Sequence, residues 1–110
     1  MASETLQQAI ALIQSDQLFE AMPLLNEVLE QQPGCVAAYV QRAKIRRRLG
    51  DRESAIADYS KAINLTPTAE AYLARALVWL SLEQLNGVVS DAQKAAKLAP
   101  DLAGGHRLLG

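Results

Sequence analysis

Apolar residues along this chain fall at helical spacing, three and four apart, within stretches separated by short polar breaks. Positions so spaced share one helix face, and the pattern predicts six helices near residues 4–15, 18–31, 36–49, 52–65, 69–81 and 84–98. The six glycines and four prolines nearly all stand between these stretches, while Ala, Leu, Gln, Glu and Arg fill them. The sequence therefore reads as all-α. At the break Leu49-Gly50-Asp51 the glycine can take the left-handed conformation that ends a helix, and the aspartate can cap the next one. Ser15-Asp16 and Ser81-Leu82-Glu83-Gln84 occupy the corresponding breaks, the latter with the Ser-x-x-Gln spacing of a capping box. A final stretch from Asp101 starts a partial helix that Gly104-Gly105 weakens.

The helices repeat in pairs. Pro33 and Pro67 are 34 residues apart, and Pro100 follows 33 later. At the offset of 33, ten identities align: Ala38, Tyr39, Arg42, Ala43, Leu49, Asp58, Lys61, Ala62, Leu65 and Pro67 fall on Ala71, Tyr72, Arg75, Ala76, Leu82, Asp91, Lys94, Ala95, Leu98 and Pro100. A weaker first unit matches at an offset of 34 through Ala9, Ala21 and Pro33. Small residues (Ala9, Ala43 and Ala76 in the first helices, Ala21 and Ala55 in the second) stand where paired helices must approach closely. Tyr39, Tyr72, Trp79, Leu25 and Tyr59 fill the layer around them. A hairpin of this size cannot bury its own apolar face, so the units must stack.

These units resemble the tetratricopeptide repeat, whose pattern runs W-x2-L-G-x2-Y, A-x3-F and a closing proline. The second unit carries it through Tyr39, Ala43, Gly50, Ala55, Tyr59, Ala62 and Pro67, and the third through Tyr72, Ala76, Trp79, Ala95 and Pro100. The resemblance, to a short three-repeat member of bacterial type, implies three helical hairpins stacked as a right-handed α-solenoid. The units are expected at about 2–35, 36–68 and 69–102, with 103–110 a partial capping helix. It also implies a concave groove lined by the first helices, which accepts a peptide or partner helix, and it implies no chemistry.

Departures from the pattern carry their own expectations. Arg46 stands at an aromatic position, so its guanidinium must reach solvent or an acceptor. Val88 replaces a small residue with Gly87 before it, which predicts a looser third hairpin. Pro23 inside a predicted helix should bend it. The connection after Pro67 is one residue short, which bears on how the third unit stacks. Arg42 and Asp58 are separated by 16 residues, as are Arg75 and Asp91, which predicts an ion pair across each of these two hairpins; the first unit has Gln8 and Leu24 there instead.

The face opposite the alanines comprises Leu6, Ile10, Ile13 and Gln14, then Val40, Lys44, Arg47 and Arg48, then Leu73, Leu77, Leu80 and Ser81. It is apolar at both ends and basic in the middle. An anionic partner could pair with Lys44, Arg47 and Arg48 while its apolar groups meet Leu6, Ile10, Leu73 and Leu77. Members of the resembled family that dock chaperone C-termini hold the terminal carboxylate with a Lys/Asn/Arg set; Leu6 and Ile10 at the matching places predict no such clamp.

The net charge of −1 excludes a generally basic nucleic-acid or membrane-surface protein, but six of the eleven basic residues lie between Arg42 and Arg52. That cluster makes nucleic-acid binding a second reading, opposed by the lack of stacking aromatics on the face. A third is self-association through an apolar C-terminal edge of Ala92, Ala96, Leu102, Leu108 and Leu109. The lone Cys35 is read as a small filler, and His106 stands near the C-terminus without a nucleophile partner. No catalytic residue, metal ligand set or cofactor motif is apparent, and without a membrane span or signal the expected location is cytoplasmic.

Overall fold

The computed structural model describes residues 2–99, which form six helices: α1 (Ala2–Gln14), α2 (Leu18–Gln31), α3 (Val36–Arg48), α4 (Arg52–Leu65), α5 (Ala69–Ser81) and α6 (Leu85–Leu98). Pro100, His106, the partial helix from Asp101 and the edge residues Leu102, Leu108 and Leu109 lie outside the described residues. The helices pair as hairpins α1–α2, α3–α4 and α5–α6. Successive hairpins stack through α2 on α3 and α4 on α5, with α1 also touching α3. The stack measures 44 × 28 × 26 Å.

Each hairpin turn closes in the same way. Gly50 has φ +88°, its N–H donates to the Arg47 carbonyl at 3.0 Å, and the Asp51 N–H donates to the Arg46 carbonyl at 2.8 Å. This pair of bonds satisfies carbonyls that a helix end otherwise leaves bare. Asp16 (φ +64°) and Glu83 (φ +58°) adopt the same conformation with the same two bonds, although neither is glycine. A side chain in that region costs about 1–2 kcal/mol. Glu83→Gly is therefore expected to raise stability by about 1 kcal/mol in thermal or urea unfolding, and an unchanged or lower midpoint would contradict the strain.

The caps are less uniform than the turns. Asp51 accepts from the Ser54 N–H and Thr68 from the Ala71 N–H, but Gln17, Cys35 and Gln84 begin their helices without a side-chain cap. The capping box expected at Ser81–Gln84 does not form. Ser81 is the last residue of α5, where its hydroxyl donates back to the Val78 carbonyl at 2.7 Å. The spacing was right, but it fell across a left-handed turn rather than at a helix start. Pro23 lies inside α2, which runs from Leu18 to Gln31.

The core follows the small residues. Ala9, Ala21, Ala43 and Ala55 are fully buried, Leu25 is fully buried beside the first pair and Tyr59 nearly so beside the second. Val28, Ile45 and Val78 are equally buried but belong to the contact between hairpins, so the pattern within one hairpin does not single them out. Burying a side chain of this size contributes about 1.5–3 kcal/mol. Packing is most extensive within each hairpin, and these side chains add a second set of contacts between hairpins.

The third hairpin is not looser. α5 and α6 pack as extensively as α3 and α4, because Gly87 takes the place of the missing small residue. The indole of Trp79 lies so close to Gly87 that an added Cβ would stand 2.7 Å from its ring. Val88 keeps the register of Ala55, and the glycine before it accepts the aromatic.

Candidate functional site

The predicted pairs across the hairpins are present and extend further than their spacing suggested. Asp58, 3% exposed, accepts from Nε and Nη2 of Arg42 at 2.9 Å each and from Nη1 of Arg46 at 2.9 Å. Arg46 thereby finds the acceptor its position demanded. Asp91, 2% exposed, accepts from Nε and Nη2 of Arg75 at 2.8 Å. The remaining Nη1 of each arginine reaches back to the preceding hairpin: Arg42 to Asn26 Oδ1 and Arg75 to Ser60 Oγ, both at 2.9 Å. Asn26 and Ser60 hold the same register in α2 and α4, so one fork locks a hairpin and ties it to the one before. The guanidinium of each also lies over a tyrosine, 5.7 Å from Tyr39 and 5.6 Å from Tyr72, and Lys94 covers Tyr72 at 5.7 Å. The hydrogen bond to Asp58 or Asp91 raises the pKa of Arg42 or Arg75 against the opposing effect of burial.

These ties change the charge available to a partner. Of the six cations between Arg42 and Arg52, Arg42 and Arg46 are bound to Asp58, and Arg48 pairs with Asp16 in the first turn. Lys44, Arg47 and Arg52 are exposed, with no ion pair among the described residues. Arg47 is near enough to Tyr59 to lower its pKa, although burial dominates and leaves that phenol raised.

The structure places the face residues along one row of first helices, α1, α3 and α5, with unequal accessibility. Leu6, Ile13 and Val40 are half-buried and pack against the core. Ile10 and Leu73 are also half-buried, whereas Gln14 is exposed. Leu77 and Leu80 stand out at 53% and 51% exposed. Adding 33 to Lys44 and Arg47 gives Leu77 and Leu80, and subtracting 34 gives Ile10 and Ile13. Two lines of equivalent positions therefore cross the three helices, each reading apolar, cationic, apolar. On α6, Leu85 and Val89 are 63% and 55% exposed, Ala92 is exposed and Ala96 half-buried.

Among the described residues, no His, Cys, Asp and Glu gather in a group that could hold a metal, and no helix is long and apolar enough to cross a membrane. Cys35 is half-buried against the first hairpin's core. Sequence reasoning missed the back-reaching contacts to Asn26 and Ser60. Their signal was the repeat register itself, which aligns a short polar residue at both places.

Six antiparallel helices stacked as three hairpins, each tied to the last by a register-specific fork, define an α-solenoid of helical repeats. Residues 36–68 match the tetratricopeptide repeat family model. The chain is 30% identical over 105 residues to the Protein SGT1 homolog of Oryza sativa subsp. japonica, covering 94% of this chain and 28% of that protein. The chain thus spans less than a third of the length of that plant relative. The first TPR of Spaghetti (RPAP3) bound to HSP90 peptide SRMEEVD superposes with a TM-score of 0.85 at 20% identity, over 90% of this chain and 79% of that one. YrrB, described as a TPR protein with an unusual peptide-binding site, gives 0.84 at 19% identity, over 91% and 52%. Residues of the second hairpin match a tetratricopeptide repeat, and the chain has the fold of tetratricopeptide-repeat solenoids.

Proposed function

We propose that the row formed by α1, α3 and α5 binds a segment of another protein, with acidic side chains opposite Lys44 and Arg47 and apolar ones on the leucines of α5. The observation that carries this reading is the pair of half-exposed leucines, Leu77 and Leu80, one repeat away from two cations with no internal acid. An exposed apolar patch bordered by polar and charged residues is one mark of a partner surface. The solved relative with an acidic chaperone peptide supports peptide binding by this fold. This chain is not expected to hold a terminal carboxylate with a Lys/Asn/Arg set, since Leu6, Ile10, Leu73 and Leu77 occupy the equivalent positions of the outer helices. Nucleic acid is disfavoured because three of the six cations in the basic cluster are already engaged by Asp58 and Asp16.

Affinity capture from the source cell, with wild type against the double variant Lys44→Glu/Arg47→Glu, tests the proposal. Both side chains are exposed, so the variant should melt within a few degrees of wild type while losing the specific partners. Recovery of the same proteins by both would remove this face from the function.

A further inference from the structure

We infer that the exposed face of α6 pairs with the same face of a second copy of this chain, helix against antiparallel helix, in a closed two-fold dimer. This surface is separate from the row of α1, α3 and α5 and does not depend on peptide binding there. Its position follows from the repeat register. Subtracting 33 from Val89, Ala92 and Ala96 gives Ile56, Tyr59 and Ile63, and subtracting 67 gives Met22, Leu25 and Leu29. All six are buried or half-buried, and the clusters that hold Leu25 and Tyr59 extend into the following hairpin. No described helix follows α6, and on it Leu85, Val89 and Ala92 are exposed. Apolar side chains left open where the chain buries their equivalents mark a contact surface.

The two ends of the stack are unlike, and that difference selects the occupant. Ala38 and Ile45 of α3, buried against the first hairpin, match Glu4 and Ala11 of α1, which are exposed, and Gln8 between them is exposed as well. This gives α1 the polar outer face that ends a solenoid. Head-to-tail stacking of two copies would bury the Glu4 carboxylate where the chain's own contacts between hairpins place Ala38 and Ala71, at the cost of its hydration. Pairing α6 with α6 buries no charge, and a two-fold contact closes on itself. Leu85, Val89, Ala92 and Ala96 are spaced four, three and four apart, which is the seam spacing of paired helices. Antiparallel pairing centred between Val89 and Ala92 sets Leu85 against Ala96 of the second copy and Val89 against its Ala92, large against small each time. The same register brings Lys97, exposed near the end of α6, beside Glu83 of the second copy, exposed just before its α6. Parallel pairing would set Lys97 against Lys97 instead.

Sedimentation equilibrium of the full chain from about 10 µM to about 1 mM tests this, with a dimer as the expected end state. Val89→Lys should weaken dimerisation at least about 100-fold, because two like charges would then face an apolar seam. Val89 is exposed, so at a dilution where both proteins are monomers the variant should melt within a few degrees of wild type. Glu83→Lys should weaken the dimer about fivefold, and Glu83→Lys/Lys97→Glu should restore it. In a Cys35→Ser background, a mixture of Val89→Cys and Ala92→Cys should oxidise to a mixed disulfide in excess over either variant alone. Should Val89→Lys fail to fold, that mixed disulfide decides. Lys44→Glu/Arg47→Glu should leave the dimer unchanged, which separates this surface from the groove. A monomer at every concentration, a dimer indifferent to Val89→Lys, or a mass that keeps growing past the dimer, as head-to-tail stacking would give, overturns the inference.

Discussion

Asp58→Ala is expected to destabilise the protein by about 3 kcal/mol, lowering the melting temperature by roughly 10–15 °C for a chain of this size. The carboxylate is buried and accepts three guanidinium bonds, so its removal leaves Arg42 and Arg46 beside an apolar cavity without a counter-charge. Breaking such a pair costs more than the pair contributes, because the remaining charges have already lost their water. Arg42 also keeps its bond to Asn26, which holds the guanidinium in place instead of letting it swing out. Asp91→Ala strands only Arg75 and should cost less. The triple variant Arg42→Met/Arg46→Leu/Asp58→Leu removes all the charges at once and should recover most of the loss. Calorimetry that finds Asp58→Ala within 1 kcal/mol of wild type would show that the carboxylate does not organise this hairpin.

A second large effect reverses an ordinary rule. Alanine in place of glycine within a helix normally stabilises by 0.5–1 kcal/mol. At position 87 the new methyl group would lie 2.7–2.8 Å from three atoms of the Trp79 indole, closer than real Cβ atoms come. Gly87→Ala should therefore destabilise by about 1–3 kcal/mol, and Gly87→Val by more, because the ring must shift and the hairpin open. Trp79→Leu should relieve the conflict, so that Gly87→Ala in that background recovers its usual small gain. A double-mutant cycle in urea gives the coupling directly, and additive effects would mean that the two residues do not meet.

Asp58 follows the repeat whereas Gly87 stands beside a departure from it, and together the two expectations show how far the sequence reaches. The recurrence of alanine, tyrosine and proline at offsets of 33 and 34 already contained the six helices, the three hairpins and their order. Those features depend on local spacing and on close approach within one hairpin. The pairing of Arg42 with Asp58 and of Arg75 with Asp91 was legible for the same reason: a constant 16-residue separation brings them to one level of a hairpin. Gly87 was misread as a weakness because its value depends on a ring eight residues earlier, on the facing helix. The capping box at Ser81 failed because the residues alone did not reveal that Glu83 would take a left-handed conformation.

The candidate site divides in the same way. Helical periodicity predicts one face for Leu6, Ile10, Ile13, Val40, Lys44, Arg47, Arg48, Leu73, Leu77 and Leu80. It could not say which of them are accessible, because that is decided by contacts from neighbouring hairpins. Packing draws Leu6, Ile13 and Val40 toward the core, and Asp16, from a turn 32 residues away, takes Arg48. By itself the sequence determined the repeating unit, since a helix's faces follow from residue spacing. Only the tertiary structure decided which cations and leucines remain exposed, because a charge is available or spent according to what folds beside it.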